Sequence, residues 1–323
     1  MIELRNISKA YRQTKVLVNV TGTIKKGSLV AIVGMSGSGK TTLLKIIAGL
    51  LEPDLGTIYF QNKKLEGPKS KLVPGHEEIN FVFQDFALKL NMSVEENLNY
   101  ALLGYQEDYK KKRVDDLIAL CGLEELRKHQ PQELSGGQKQ RVAFSRALAS
   151  EPAVILMDEP FSNLDPLTKQ SLLIETKALA KITNTTIILV THDTRDAMEI
   201  ADEIWVLQDG IIIQKGRPKE IHQKPASAAV GRLFGIINLL NVAQSQRLFQ
   251  INQATGIWMG DVYISKTGPI QGLIKDVIFY GTSHKLIIEI EEGLQLIALD
   301  VQKELKKGHR IQLSVATDKI ILF

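Results

Sequence analysis

The chain has 323 residues, 44% hydrophobic and 24% charged, with 40 Lys and Arg against 36 Asp and Glu for a net charge of +4. That balance excludes a disordered or fibrous chain, and it is too weakly basic to argue for nucleic acid as a partner. A lone cysteine, Cys121, excludes an intrachain disulfide and a cysteine-based zinc cluster, while no apolar run reaches the roughly 20 residues of a membrane span.

The length suggests about two domains. The N-terminus, MIELRNISKAYRQTK, carries charges where a signal peptide needs an apolar core, so a cytosolic chain is expected. Residues 1–30 read as strands and turns. The apolar run from Ser28 to Val33 predicts a buried strand entering a glycine-rich loop, and Thr41 to Leu51 predicts a helix. The loop reads Gly34-Met35-Ser36-Gly37-Ser38-Gly39-Lys40-Thr41, a phosphate-binding pattern flanked by the strand and helix that pattern requires. Phosphate oxygens need convergent N–H donors, which a glycine-rich turn and a helix N-terminus supply. Candidate nucleotide-binding residues are therefore Gly34, Ser36, Gly37, Ser38, Gly39, Lys40, Thr41 and Thr42, with Lys40 reaching the β- and γ-phosphates and Thr41 ligating Mg²⁺.

From Gly56 to Phe83 short strand-like pieces alternate with charged turns, and residues 91–150 read as helical. Inside that stretch, Leu134-Ser135-Gly136-Gly137-Gln138 opens a helix with a hydroxyl donor and two glycines, a second anion-binding helix end. One nucleotide rarely needs two such ends from one chain. Ala153–Met157 and Thr185–Thr191 predict strands apolar on both faces, with helical sequence over 166–182 between them. Asp158 and Glu159 follow the first of these strands. Asp158 is expected to hold Mg²⁺ and Glu159 to polarise the attacking water. A further strand, Ile204–Leu207, ends at a turn signal, Asp209-Gly210. Buried strands alternating with helices predict a sheet covered on both sides. After about Gly235 the pattern becomes strict alternation: Leu286, Ile288 and Ile290, then Leu294, Leu296 and Ala298, then Ile311, Leu313 and Val315. That predicts a small antiparallel barrel.

LSGGQ at 134–138, together with the phosphate loop, closely resembles the ATP-binding cassette (ABC) ATPases over residues 1 to about 235. The resemblance implies an α/β P-loop NTPase cassette with a mixed sheet in 1–235, a helical subdomain at about 86–150, and a small all-β barrel-like domain in 236–323. By its place before the loop, Tyr11 resembles the aromatic that stacks on adenine. Gln84 in FVFQDF resembles the glutamine that contacts Mg²⁺ and the water. Ser162-Asn163-Leu164-Asp165 resembles the segment linking two active sites across a dimer, and His192 the histidine at the γ-phosphate. The resemblance implies ATP and Mg²⁺, with Thr41, Gln84 and Asp158 at the metal and Glu159, His192 and Lys40 catalytic. Two cassettes would pair head to tail, each nucleotide lying between one chain's phosphate loop and Ser135, Gly136, Gly137 and Gln138 of the other. The tail resembles the C-terminal domain of importer ATPases, which implies two transmembrane permease subunits, a periplasmic or lipid-anchored solute-binding protein, and a peripheral place on the cytoplasmic face of the inner membrane. Residues 70–100 resemble ferric iron and polyamine importers most. A translation or DNA-repair ATPase would need a second cassette or a long coiled coil, and the barrel-like tail argues against an exporter.

Overall fold

A computed structural model describes every residue except Val73 and Asn163. The chain divides into two compact units, Met1–Pro218 and Lys219–Phe323.

The first unit opens with two long antiparallel strands, β1 (Ile2–Tyr11) and β2 (Thr14–Ile24). The buried strand β3 (Leu29–Val33) follows, then α1 (Lys40–Ile47). Next come β4 (Leu55–Phe60), β5 (Lys63–Lys64) and β6 (Ile79–Val82). Three helices form the expected helical stretch: α2 (Val94–Tyr100), α3 (Glu107–Leu120) and α4 (Gly136–Leu148). The chain returns through β7 (Val154–Asp158), α5 (Pro166–Thr183), β8 (Thr186–Thr191), α6 (Thr194–Ile200), β9 (Glu203–Gln208) and β10 (Ile211–Gly216).

Two sheets result. One has the order β2-β1-β4-β5, the other β10-β9-β3-β8-β7-β6. In the larger sheet β9, β3, β8, β7 and β6 run parallel and β10 turns back antiparallel on β9. Strands β3, β7 and β8 are buried at every residue, which is why they read as continuous apolar runs. Their carboxyl ends point to one edge, and in such sheets that edge is where ligands bind. The phosphate loop after β3, Asp158 at the end of β7 and His192 just after β8 all lie there. Capping fixes the helix starts. Ser93 caps α2 in a reciprocal box with Glu96, and Asp165 accepts from the Thr168 N–H at 3.1 Å to cap α5.

The second unit begins with α7 (Pro218–Gln223) and α8 (Ala228–Phe234), which the sequence reading counts with the cassette. Trp258 anchors the first of them. Its indole N–H donates to the His222 carbonyl at 3.0 Å, and the two rings stack with centroids 4.4 Å apart. Then come β11 (Ile237–Leu240), α9 (Val242–Phe249), β12 (Thr255–Trp258), β13 (Tyr263–Ser265), β14 (Ile270–Tyr280), β15 (Ser283–Glu291), β16 (Leu294–Asp300), β17 (Arg310–Ser314) and β18 (Ile321–Leu322). All pairings are antiparallel, in sheets β11-β12-β18 and β13-β17-β14-β15-β16. The alternating positions read from sequence supply this core: Leu286, Ile288, Leu294, Leu296, Ala298 and Leu313 are buried together. Among the described residues no helix is long and apolar enough to cross a membrane.

Candidate active site

The phosphate loop is built by its glycines. Gly39 caps α1 at φ 100°, a conformation that a side chain strains, and a Cβ there would lie 2.6 Å from the Val16 carbonyl oxygen. Lys40 is buried under the loop and donates to the carbonyls of Gly34 at 2.9 Å and Met35 at 3.0 Å. Burial holds its ammonium below the usual lysine range, against the pull of Glu159 and Asp158. The Ser38 hydroxyl is buried with no hydrogen-bond partner, which leaves a donor for a phosphate oxygen.

Two acids meet this loop from β7. Thr41 Oγ1 donates to Asp158 Oδ1 at 3.0 Å. Burial raises the Asp158 carboxyl pKa, the Thr41 hydroxyl opposes that shift, and Glu159 adds to it. A carboxyl whose folded-state pKa lies above its unfolded value destabilises the fold as pH rises through it. Asp158→Asn keeps an acceptor for Thr41. It is expected to stabilise the nucleotide-free protein by roughly 0.5–2 kcal/mol at pH 7. The gain should vanish below about pH 4, where folded and unfolded chains both carry the proton. Urea unfolding at the two pH values measures it; an equal gain at both, or a loss at pH 7, contradicts the burial argument.

Glu159 sits at φ 49°, in the left-handed region that costs a non-glycine residue about 1–3 kcal/mol. Its neighbours impose that conformation. The Glu159 N–H donates to the Val190 carbonyl at 3.0 Å, and its own carbonyl accepts from Ser162 Oγ at 2.9 Å. The turn brings Glu159 Oε2 to 2.7 Å from His192 Nδ1. His192 stands between β8 and α6, and behind it Lys169 ties α5 to α6 through Asp193 at 2.7 Å and Asp196 at 2.8 Å.

A cavity of about 480 Å³ gathers most of the predicted residues: Tyr11, Ser36, Gly37, Gly39, Lys40, Thr41, Thr42, Gln84, Glu159, Ser162 and His192 all line it. Tyr11 is half exposed at the rim, with the Lys9 ammonium 5.8 Å from its ring centroid. Val16, on β2, also lines the cavity and carried no sequence signal beyond strand alternation. Asn163 lies outside the described residues, while Asp165 turns away to cap α5. Ser135, Gly136, Gly137 and Gln138 are not among the lining residues. They form the start of α4, where Ser135 Oγ accepts from the Gln138 N–H at 3.3 Å and Gln138 Oε1 accepts from the Ser135 N–H at 2.8 Å. Gly137 is buried against α5, and a Cβ there would lie 2.3 Å from Thr168 Cγ2.

The donor set fits a hard divalent cation. Thr41, Asp158 and Gln84 offer oxygens. A set of few oxygen donors beside a phosphate loop suits an ion that takes one or two protein ligands plus substrate phosphates.

A buried strand, a glycine loop around a lysine and a second strand ending in an acid pair define a P-loop nucleoside triphosphatase. The ABC transporter family model matches residues 17–162. The chain is 36% identical to the sulfate/thiosulfate import ATP-binding protein CysA of Pectobacterium atrosepticum, over 96% of each chain. It is 33% identical to the spermidine/putrescine import ATP-binding protein PotA of Nitratidesulfovibrio vulgaris, over 94% of this chain and 90% of the relative. Among solved structures it resembles cbiO1 of Clostridium perfringens, part of the ABC transporter complex cbiONQ, with a TM-score of 0.64 and 33% identity over 72% of this chain and 92% of that one. It also resembles a dimeric ATP-binding cassette in a post-hydrolysis state bound to ADP and Pi, with a TM-score of 0.58 and 34% identity over 68% and 99%. The chain belongs to the ATP-binding proteins of ABC transporters, in their import branch.

Proposed function

We propose that the chain is the ATP-hydrolysing subunit of a solute importer and works as a head-to-tail pair of cassettes. The observation that carries this reading is the single cavity walled by Lys40, Thr41, Gln84, Glu159 and His192, with the anion-binding start of α4 outside it. Each chain then holds half of two sites. The adenine stacks on Tyr11, and the loop amides from Gly34 to Thr42 take the phosphates. Lys40 leaves its own loop carbonyls for the β- and γ-phosphates. Glu159 orients a water for in-line attack and accepts its proton. His192 holds Glu159 in place and stabilises charge on the γ-phosphate. The helix end at Ser135, Gly136, Gly137 and Gln138 closes over the nucleotide of the other cassette. Thr41, Gln84 and Asp158 hold Mg²⁺, which when bound offsets the charge of the β- and γ-phosphates.

The pair sits on the cytoplasmic face of the membrane beneath two permease subunits, which meet the segment 86–97, and a solute-binding protein delivers cargo from the other side. The dimeric cassette among the solved relatives supports the pairing, and cbiO1, described as part of an ABC transporter complex, supports a permease partner. The second unit, from Lys219 onward, serves as an accessory domain, and every proposed active-site residue belongs to the first unit, the motor. The curated relatives name an oxyanion and a polycation as cargo at near-equal identity, so cargo choice is assigned to the membrane subunits and binding protein. Detergent extraction with this subunit as bait tests the reading. Two membrane subunits should co-purify, and solute-loaded binding protein should raise ATP hydrolysis in the reconstituted complex. Hydrolysis indifferent to the permease and its solute would overturn the importer assignment.

A further inference from the structure

Gln84 reaches the cavity on the segment that leaves β6, and that segment then makes an unusual turn. Phe86 and Ala87 both have positive φ, 63° and 45°, and the Phe86 N–H donates to the Phe83 carbonyl at 2.9 Å. Two consecutive non-glycine residues in this region are strained, so something outside the turn must hold them. Arg146 does so. From the last turns of α4 its Nη1 donates to the Ala87 carbonyl at 2.7 Å and its Nη2 to the Phe86 carbonyl at 2.9 Å. The guanidinium is half-buried and among the described residues pairs with no carboxylate. Burial holds its pKa below the arginine range, opposed by Asp85 and Tyr100. A planar fork of donors holds two neighbouring carbonyls at fixed angles, whereas an ammonium on a flexible stem leaves their relative direction free.

Both ends of the segment are fixed by other groups. Before it, Asn80 Nδ2 donates to the Ala147 carbonyl at 2.6 Å and to Ser150 Oγ at 3.0 Å, tying β6 to the end of α4. After it, the fully buried Asn97 accepts from the Lys89 N–H at 2.8 Å and donates to the Lys89 carbonyl at 3.1 Å. Arg146 grips the middle. The same thirteen-residue helix carries Ser135 and its capping box at the other end.

We propose that Arg146 is a positioning residue: its fork fixes the turn at Phe86 and Ala87, sets Gln84 in the nucleotide cavity, and makes the Gln84 segment move as one body with the helix that starts at Ser135. The inference rests on the role given to Gln84 above. A displacement of 86–87 then reaches α4 through two hydrogen bonds, and a movement of α4 reaches Gln84 in return.

The test uses the full-length chain with Arg146→Met, Arg146→Lys, Gln84→Ala, the Arg146→Met/Gln84→Ala double variant, and Arg113→Met. Arg113 is a matched control. It donates to the Ala149 and Leu148 carbonyls at 3.1 and 2.8 Å, capping the same helix without touching the Gln84 segment. Binding of a fluorescent ATP analogue is titrated with Mg²⁺, hydrolysis is measured, and amide hydrogen exchange is followed over 83–90. Arg146→Met should raise the Mg²⁺ concentration for half-saturation and lower kcat, each about tenfold. Binding of the analogue in EDTA should stay within about twofold, and exchange over 83–90 should quicken about tenfold or more. In the Gln84→Ala background Arg146→Met should add less than about twofold, as expected for residues acting through one another. Arg113→Met should lower Tm while leaving the Mg²⁺ requirement unchanged. Should Arg146→Met fail to fold, Arg146→Lys carries the same comparison. A full multiplicative loss in the double variant, or an Arg113→Met that reproduces the Arg146→Met pattern, overturns the proposal alone. A Gln84→Ala chain with an unchanged Mg²⁺ requirement overturns the role of Gln84 and this inference with it.

Discussion

Glu159→Gln is expected to lower kcat by about 10³-fold or more while ATP binding stays within about threefold of the unaltered protein. Two features of the site set the size and the selectivity of the effect. The left-handed backbone at Glu159 is held by Val190 and Ser162 through main-chain groups, so the side chain's identity does not decide where it points. Its Oε2 meets His192 Nδ1 at 2.7 Å, and a glutamine amide offers either a donor or an acceptor at the same distance. The substitution therefore removes basicity and leaves the geometry. A group that acts only as the proton leaves water contributes to the transition state and not to the ground state, so kcat falls and Kd does not. ATP that binds without being consumed should also hold the cassettes paired. Phosphate release, equilibrium nucleotide binding and light scattering measure the three quantities. Turnover within about tenfold of the parent would remove Glu159 as the base.

The phosphate loop, the acid pair and the strand ends were legible in the sequence because each is local. Six glycine, serine and lysine positions within one loop specify their own geometry, and an all-apolar strand announces burial on both faces. The barrel strands were legible for the same reason, since alternation at 286–298 needs only a two-residue period. What was illegible depends on distant chain. Nothing around Arg146 tells a reader that its partners are carbonyls sixty positions earlier, because a backbone carbonyl carries no sequence mark. Helix α9 was hidden by its length of eight residues and by a polar face, although Asn241 and Gln244 make a capping box that could have marked its start. The membership of 219–235 in the second unit hangs on Trp258, whose stacking partner His222 is remote in sequence. The positive φ of Glu159 was likewise invisible: it is imposed by β8 across the sheet, and glutamate has no preference for it.

The placement of Ser135 outside the Lys40 cavity has a consequence that a mixture of two inactive chains exposes. Lys40→Ala removes the ammonium that the loop carbonyls now hold, and with it the charge destined for the phosphates. Ser135→Arg destroys the reciprocal cap and puts a long side chain over the exposed start of α4. Losing the cap costs the helix about 1 kcal/mol, so the chain should still fold, which circular dichroism verifies. Each variant alone forms pairs in which both sites lack one half, and each should be inactive. In a mixed pair, one site combines both defects. The other combines an intact loop from the Ser135→Arg chain with an intact helix end from the Lys40→Ala chain. Equal amounts of the two variants should then recover about a quarter of the activity of the unaltered protein, because half of random pairs are mixed and each has one working site of two. Recovery should grow with total protein concentration, since pairing is a mass-action step. If instead each chain completes its own site, every chain in the mixture carries a fatal change and no activity returns at any concentration.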